Sequence, residues 1–283
     1  MQKVFDDFSE IEDEIRNQEP STMYKYRDWT NDFHKAILKD NVIWFAHPKE
    51  LNDPYDIRVP VRFDFSEVNH PLFFEKLKFH AETNFPHINP KSREFQVICE
   101  NQIEIIKSDP KTFFENNYLE IRESDLYDCI GVFSLSKDSL DETMWAHYAI
   151  NSTGFCIGFD TIELLQNFHM GFGPITYDDE PPLHSFIKSF RDNTKNEMYL
   201  KHTKWSHEKE FRVLTSAIKK NSDRSVKINK NSVKEIIVGS KMPTDYINEI
   251  ITLLKSDYSS KVALFKADVN TSSYGLKKIA INY

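Results

Sequence analysis

Apolar residues along the chain fall into short runs that alternate with longer amphipathic stretches. The runs at residues 42–46 and 154–160 are rich in β-branched and aromatic residues, which is typical of strands. Apolar positions spaced three and four residues apart predict helices over residues 184–203 and 244–254. Strands and helices are interspersed without an internal repeat, so we expect one α+β domain over residues 23–283 with a mixed, mostly antiparallel sheet.

Two further segments are predicted to be helical. Residues 1–22 form an acidic N-terminal segment in which Phe8, Ile11 and Ile15 recur at helical spacing. Residues 65–126 are polar, are interrupted by prolines and contain three clusters of apolar residues. This second pattern predicts a helical insertion within the α+β domain.

Composition and charge narrow the classes of function. The 283 residues carry a formal net charge of −8, so we expect no broad basic face for duplex nucleic acid. Neither a G-x-G-x-x-G nor a G-x-x-x-x-G-K-[ST] motif is present, which argues against dinucleotide-fold and P-loop chemistry. No apolar run approaches the length needed to cross a bilayer, and we expect no membrane partner.

The cysteines and the start of the chain indicate a cytoplasmic protein. Cys99, Cys129 and Cys156 form no C-x-x-C pair, and free thiols of this kind suit a reducing compartment. Histidines at the short spacing of a zinc site are not apparent, so no metal site is assigned. The first residues contain no basic segment followed by an apolar one, so we expect no secretory leader.

Two carboxylates stand close together within residues 204–214. Glu208 and Glu210 are separated by one residue, immediately before an apolar run, and in an extended strand this spacing places both on the same face. Close carboxylates repel each other unless a cation offsets their charge, and Lys204, Lys209 and Arg212 are candidates for that cation. The alternative is an edge strand whose charges face water.

A second polar segment occupies residues 47–56. It contains Asn52, Asp53 and Asp56 together with two prolines. Such side chains fix a turn by bonding to their own backbone, and loops of this kind also carry binding residues. Both a structured turn and a functional loop fit the sequence.

The order of several short motifs resembles that of one protein family. The motifs are Y-K-Y-R at residues 24–27, L-N-D-P-Y-D at 51–56, F-S-L-S at 133–136, W-A-H-Y at 145–148 and E-K-E-F-R at 208–212. Together they look like the domain of unknown function 2971 family over residues 23–268. That family is bacterial and phage-associated, and its activity is poorly assigned.

The chain also resembles the mono-ADP-ribosyltransferases, in which an arginine, a Ser-x-Ser strand and a Glu-x-Glu strand follow one another. The matching residues here are Arg27, then Ser134 with Ser136, then Glu208 with Glu210. The resemblance implies a sheet of that family's type and NAD as the substrate. Arg27 would grip the NAD phosphates and Ser134 would steady the last glutamate. Glu210 would stabilise the ribosyl cation, and Glu208 would contact the acceptor.

Aromatic and histidine side chains near these motifs complete the expected nucleotide site. A short helix would place Trp145 and Tyr148 on about the same side, where either ring can stack on the nicotinamide or adenine ring. Tyr26 and Ser136 are assigned to the same cofactor site. His147 is a candidate acid or base within it.

Three functions are consistent with these patterns. The first is transfer of ADP-ribose from NAD to an unknown macromolecular or small acceptor, as in a bacterial toxin or a phage-defence effector. The second is a phosphoester-cleaving toxin that holds a divalent metal through Asp53, Asp56, Glu208 and Glu210. The third is a non-catalytic defence module that binds a nucleotide or a partner protein. In a structural role, Arg27 would form an ion pair with Asp53, Asp56 or Glu210.

Overall fold

The chain divides into two compact units. The computed structural model describes residues 9–123, 125–166, 168, 171–189, 192–193, 197–258 and 261–283. The first unit comprises the described residues of Met1–Leu51, Asp128–Tyr177 and His202–Tyr283, and the second comprises those of Asn52–Tyr127 and Asp178–Lys201. The predicted helical insertion over residues 65–126 lies within the second unit.

The strands and helices are numbered here in chain order. The strands are β1 (Thr22–Arg27), β2 (Val42–Trp44), β3 (Arg62–Phe63), β4 (Gly131–Ser136), β5 (Phe155–Asp160), β6 (Gly171–Pro174), β7 (Thr176–Tyr177), β8 (Leu183–His184), β9 (Leu200–Lys201), β10 (Glu210–Thr215), β11 (Ser225–Lys227), β12 (Val233–Val238), β13 (Ala263–Val269) and β14 (Leu276–Ala280). The α-helices are α1 (Ser9–Gln18), α2 (Asp32–Lys39), α3 (Pro71–Asn84), α4 (Arg93–Ser108), α5 (Pro110–Glu123), α6 (Glu142–His147), α7 (Thr161–Leu165) and α8 (Thr244–Asp257).

The first unit is built on a sheet whose described strands have the order β14-β13-β12-β5-β1-β4-β10-β6. Neighbouring strands run antiparallel, apart from β12 and β13, which are parallel. A parallel pair needs a crossover connection, and α8 supplies it. The prediction of an α+β fold with a mixed, mostly antiparallel sheet is confirmed.

One side of this sheet, which we call the helix face, packs on helices. Met23, Phe133 and Phe155 from the central strands share one apolar core with residues of α1, α2, α7 and α8, such as Leu38 and Leu254. Burying each such side chain contributes on the order of 1.5–3 kcal/mol. Because side chains alternate across a strand, this packing also decides which residues face the other way.

The other side of the sheet, which we call the tyrosine face, carries Tyr24 and Tyr26 of β1. Helix α6 packs against it through Trp145, whose ring meets the edge of Tyr26 at a centroid distance of 5.3 Å. The indole Nε1 of Trp145 donates a hydrogen bond to the carbonyl oxygen of Ser139 at 2.9 Å. These two contacts of Trp145 fix the position of α6. The turn that follows α6 is positioned by the helix.

The turn after α6 is held by close backbone packing. Ile150, Asn151 and Ser152 all have positive φ angles, a conformation that side-chain-bearing residues rarely adopt. The carbonyl oxygen of Ser152 packs so tightly on Gly239 that a Cβ atom there would lie 2.1 Å from it. Gly239 is therefore needed for close approach, and it anchors the segment that follows α6.

The predicted N-terminal helix is present as α1. Ile15 of this helix is 6 % exposed and lies in the core of the helix face. Residues 1–8, which include Phe8, lie outside the described residues. The helix is thus docked on the first unit through its apolar side.

In the second unit, α3, α4 and α5 form where the apolar clusters predict helices. Their core includes Phe114 and Phe186, whose rings stack at a centroid distance of 4.5 Å. Strands β3 and β8 pair in parallel. The helix predicted over residues 184–203 is wrong at both ends, where β8 and β9 form instead; residues 190, 191 and 194–196 lie outside the described residues.

The reason for that error lies in buried polar contacts of the second unit. The Nδ1 atom of His184 lies 2.8 Å from Oε1 of Glu197, and both side chains are buried. The side chain of Asn193 bonds to the backbone of Ser185 at both its amide nitrogen and its oxygen. These contacts hold the backbone at His184 and Ser185 outside a helix, whereas residues 192–193 and 197–198 are helical as predicted.

No helix among the described residues combines the length and the apolar character that a bilayer crossing requires.

One histidine at the start of α2 is expected to couple stability to pH. His34 is half-buried, and its Nδ1 accepts a hydrogen bond from the backbone N–H of Asp28 at 3.3 Å. Burial, together with the nearby charges of Arg27 and Lys25, lowers the pKa of His34 from 6.5 to about 4. The folded chain therefore binds fewer protons at this site than the unfolded chain between these two pH values.

We predict that the free energy of unfolding falls as the pH is lowered from 6.5 to 4, and that His34→Asn removes part of this fall. Asparagine keeps an acceptor for the Asp28 N–H but does not titrate. The measurement is denaturant unfolding at pH 7 and pH 5. His202→Asn is the matched control, because exposed His202 also accepts a backbone N–H through Nδ1. An unchanged pH profile in His34→Asn would contradict the prediction.

Candidate functional site

The two glutamates of the Glu-x-Glu motif lie in different backbone environments. Glu208 ends a 3-10 helix, Thr203–Glu208, and Lys209 adopts a left-handed conformation with φ 43° and ψ 47°. A non-glycine residue in this region stores on the order of 1 kcal/mol or more of strain. The prediction that both acids belong to one extended strand is therefore wrong, because β10 begins only at Glu210.

Glu210 is bound by an arginine on its own strand. Arg212 donates from Nε to Oε1 of Glu210 at 2.8 Å and from Nη2 to Oε2 at 3.0 Å. Glu210 is 3 % exposed and Arg212 is 0 % exposed. Residues two apart on a strand share a face, so this bidentate ion pair follows from the spacing. Arg212 is one of the three cations suggested by the sequence.

Lys209, a second suggested cation, forms an ion pair with Asp138. Its Nζ lies 2.7 Å from Oδ2 of Asp138, in the turn after β4. Burial opposes ionisation of Asp138, but the hydrogen bond from Lys209 and the N–H of Leu140 outweigh it and lower the pKa of Asp138. The pair fastens the left-handed turn at Lys209 to the end of β4.

The two serines of the Ser-x-Ser motif have different surroundings. Ser136, which is 1 % exposed, donates from Oγ to the carbonyl oxygen of Glu208 at 2.7 Å and accepts from the N–H of Asp138 at 3.1 Å. It therefore ties the end of β4 to the start of β10. Ser134 lies directly across from Arg212 on the same face of the sheet. The register thus brings both serines beside the acid–arginine pair.

Tyr148 connects α6 to the first glutamate. Its hydroxyl donates to Oε1 of Glu208 at 2.5 Å, and Glu208 is 4 % exposed. On the other side, the N–H of Glu210 donates to the hydroxyl oxygen of Tyr177 at 2.8 Å. We call the group of Ser136, Tyr148, Glu208, Glu210 and Arg212 the tyrosine-face cluster.

The remaining aromatic candidates are packed in the core of the tyrosine face. Tyr26 is 2 % exposed, and its hydroxyl donates to the carbonyl oxygen of Asp138 at 2.8 Å. Burial, reinforced by nearby Cys156 and Asp138, raises the pKa of Tyr26. Trp145 is 1 % exposed. Both rings pack within the core of the tyrosine face, where other parts of the protein cover them.

Two histidines stand next to the cluster. His147 is exposed, and the centroid of its ring lies 6.3 Å from that of His207. The Nδ1 of His207 lies 3.2 Å from the carbonyl oxygen of Lys204, to which it can only donate, so the neutral ring keeps its lone pair on Nε2. The helix α6 and the 3-10 helix bring these rings together, although sixty residues separate them in sequence.

Arg27 does not join the cluster, which corrects the expectation that it shares a site with Ser134 and Glu210. Arg27 pairs with Phe155, whose side chain lies in the core of the helix face. Tyr24, three residues earlier, pairs with Ser136 and faces the cluster. Alternation along β1 therefore places the Arg27 side chain on the opposite face from Glu210. The suggested ion pair of Arg27 with Glu210 is absent, since Arg212 occupies that carboxylate.

The residues of the 47–56 loop that the sequence singles out belong to the second unit. Asn52 is exposed. Asp53 is buried and accepts the N–H of Tyr55 at 3.1 Å, as in a structured turn. Asp56 forms a buried ion pair with Lys201 at 3.2 Å. Across the described part of the chain, no group of three or more His, Cys, Asp and Glu side chains is placed to hold a metal ion.

Sequence reasoning missed Asp138 and Tyr177 as supports of the cluster. Asp138 lies two residues after the Ser-x-Ser strand. An acidic residue in the turn at the end of this strand was a signal that could have identified it. Tyr177 lies at the end of a short strand, and the sequence around it does not indicate which residue its side chain contacts. Its contact with Glu210 depends on the pairing of β6 with β10.

We predict that the Glu210–Arg212 pair is strongly coupled. Arg212→Met leaves a carboxylate buried without its bidentate partner and is expected to cost about 3–5 kcal/mol of unfolding free energy. The double variant Glu210→Gln/Arg212→Met should cost less than the sum of the single variants, by about 0.5–3 kcal/mol. Guanidinium unfolding followed by circular dichroism measures each value.

The matched comparison is Lys209→Met, which breaks an ion pair whose lysine is 53 % exposed. Such pairs contribute about 0.2–1 kcal/mol. If Arg212→Met and Lys209→Met lowered the free energy of unfolding by equal amounts, the buried pair would contribute no more to stability than the exposed one. Strict additivity in the double variant would show that the two side chains do not depend on each other.

Comparison with family models gives a match that includes four of the five residues of the cluster. No curated protein and no solved structure matches the chain significantly. Residues 144–213 match the family model described as "Protein of unknown function (DUF2971)". The match begins within α6 and contains Tyr148, the two glutamates and Arg212, and it confirms the resemblance of this part of the chain to the DUF2971 family.

Proposed function

We propose that the chain transfers ADP-ribose from NAD and that the tyrosine-face cluster contains its reactive carboxylate. The observation that carries the proposal is that three segments distant in sequence converge there. Strand β4 contributes Ser136, α6 contributes Tyr148, and β10 with the preceding turn contributes Glu208 and Glu210. Ser136, Glu208 and Glu210 are among the residues that match the ADP-ribosyltransferase pattern, and Tyr148 is one of the rings expected beside the nucleotide.

The contacts favour Glu208 rather than Glu210 as the reactive acid. Both oxygens of Glu210 accept from Arg212, which neutralises the charge that catalysis would need. Glu208 accepts from the hydroxyl of Tyr148, which orients its carboxylate at the end of the 3-10 helix. A fixed negative charge beside the ribose stabilises the positive charge that develops there.

The bond between the ribose C1′ and the nicotinamide nitrogen breaks, and neutral nicotinamide leaves with the electron pair. Glu208 stabilises the ribosyl cation. A nucleophile of the acceptor then bonds to C1′ and loses its proton, for which His147, exposed beside Tyr148, is the nearest candidate base. The unknown acceptor is a macromolecule in the setting of a toxin or a phage-defence effector in the cytoplasm.

A second function is favoured by one specific observation. Arg27, the residue expected to grip the NAD phosphates, lies on the other face of the sheet from the cluster. A chain that lacks this grip can hold a nucleotide without cleaving it. The second candidate is therefore a non-catalytic nucleotide-binding module that reports ligand binding to a partner protein. The metal-dependent alternative is not supported, because no group of His, Cys, Asp and Glu side chains among the described residues is placed to hold a metal ion.

We predict that the chain releases nicotinamide from NAD and that Glu208→Gln lowers the rate by about 10²-fold or more, as the loss of one electrostatic contact to a transition state does. Tyr148→Phe should lower the rate less, because the carboxylate remains but loses its orienting hydroxyl. Nicotinamide release from labelled NAD is the measurement. Glu142→Gln, an exposed acid at the start of α6, is the control and should keep the full rate.

Binding is measured beside turnover so that the two candidates separate. A melting shift with NAD, without nicotinamide release, would favour the non-catalytic module. Release that survives Glu208→Gln but is lost in Glu210→Gln would contradict the assignment of the reactive acid. If NAD gives neither nicotinamide release nor a melting shift, NAD is not the ligand of this chain.

A further inference from the structure

Left-handed backbone at non-glycine residues is concentrated around Tyr148 and Glu208. Among the described residues, the non-glycine residues with a positive φ angle are Asn41, Ile57, Ile150, Asn151, Ser152 and Lys209. Three of them form the turn that begins two residues after Tyr148, and Lys209 directly follows Glu208. Left-handed backbone brings Cβ close to a carbonyl oxygen, and residues held in it cluster at functional sites. Four such residues here flank one hydrogen bond, which the Tyr148 hydroxyl donates to Glu208.

The steric cost of this backbone is highest at Ile150. This residue is β-branched, has a φ of 47° and is 48 % exposed. A β-branched residue in the left-handed region is a genuine outlier, and glycine would adopt the same backbone without the crowding. The end of a helix commonly needs one left-handed residue, usually glycine. Capping α6 therefore does not by itself account for three left-handed residues without a glycine.

The left-handed turn is bonded on both sides, so its shape is passed on to α6. The backbone N–H of Ser152 donates to the carbonyl oxygen of Trp145 at 3.1 Å. The N–H of Lys241, in the segment after β12, donates to the carbonyl oxygen of Ser152 at 2.9 Å. These bonds span Tyr148 and connect the last turn of α6 to the sheet. The left-handed turn therefore sets the direction in which Tyr148 leaves the helix.

A similar constraint holds Glu208 at the other end of the hydrogen bond. Its carbonyl oxygen accepts from Oγ of Ser136 at 2.7 Å, and the carbonyl oxygen of Lys209 accepts from the N–H of Lys137 at 3.0 Å. Lys209 itself has a φ of 43°. A non-glycine residue in this region is confined to a narrow range of φ and ψ, whereas glycine adopts either sign of φ. Side-chain-bearing residues therefore fix this backbone more rigidly than glycine would.

We propose that Ile150 and Lys209 are positioning residues, which hold the Tyr148 hydroxyl and the Glu208 carboxylate at hydrogen-bonding distance before a substrate binds. Each acts through its backbone, whose narrow torsional range limits how far the two groups move apart. The consequence for catalysis rests on the proposed transferase function. The contact between the two side chains can be measured without NAD.

The direct test is Ile150→Gly in the full-length chain, with thermal melting and nicotinamide release from labelled NAD as readouts. We expect an unchanged or higher melting temperature, because crowding is relieved. The value of kcat should fall by up to about 10²-fold, as misplacement of a catalytic group does, while KM changes little. The change should have no effect in a Tyr148→Phe background, because it acts through that hydroxyl. Asn41→Gly, at the left-handed residue before β2, is the matched control and should keep the full rate.

The role of Lys209 is tested by comparing two substitutions. Lys209→Gly and Lys209→Met both lose the ion pair with Asp138, but only methionine keeps a side chain on the left-handed backbone. Lys209→Gly should therefore have the lower kcat. Equal kcat values in the two variants would contradict the role of Lys209.

A double-variant cycle measures the contact without turnover. In the wild type, Tyr148→Phe and Glu208→Gln together should lower the melting temperature by less than the sum of the single changes, because they break one hydrogen bond. In the Ile150→Gly background the two changes should be nearly additive. Undiminished coupling there, or an undiminished kcat, would overturn the positioning role of Ile150. If the wild type releases no nicotinamide, the transferase function fails, and the cycle still decides whether Ile150 holds the pair.

Discussion

The alternation of side chains across the central strands β5, β1, β4 and β10 is the constraint on which the rest of the structure depends. Apolar residues such as Phe133 and Phe155 must face α1, α2, α7 and α8 to be buried. The residues between them are then forced to the other side. This single requirement sends Ser136 and Glu210 to the tyrosine face together, since they are cross-strand partners.

Chemistry on the tyrosine face depends on how its charges are neutralised. Glu210 and Arg212 satisfy each other, so they form a rigid base at the start of β10. Glu208 stands one left-handed residue earlier, outside the strand, and meets Tyr148 from a helix that is itself seated by Trp145. Two acids that look equivalent in sequence thus have different tasks. Glu210 supports the start of the strand, and Glu208 is the acid to which we assign the proposed reaction.

Parts of this arrangement are predictable from sequence, and the reasons are local. The α+β class follows from the periodicity of apolar residues, and the Glu210–Arg212 contact follows from their spacing on a strand. Alternation also shows that Tyr26 and Arg27, as neighbours on β1, cannot face the same site, although the family resemblance assigns both to it. The left-handed turn at Lys209 and the contact of Tyr148 with Glu208 depend on tertiary packing, which leaves no periodic trace in the sequence. The helix predicted over residues 184–203 fails at its start for the same reason, because buried polar contacts of His184 and Ser185 override apolar spacing there.

The central claim is that Glu208 and Arg27 serve separate faces of one sheet. It is tested most directly by a crystal structure of the chain with a non-hydrolysable NAD analogue. The account predicts that the ribose beside the nicotinamide lies next to Tyr148 and Glu208, and that no atom of the same ligand molecule contacts Arg27. A single analogue that touches both Arg27 and Glu210 would contradict the account, because it would require a strand register different from the one described here.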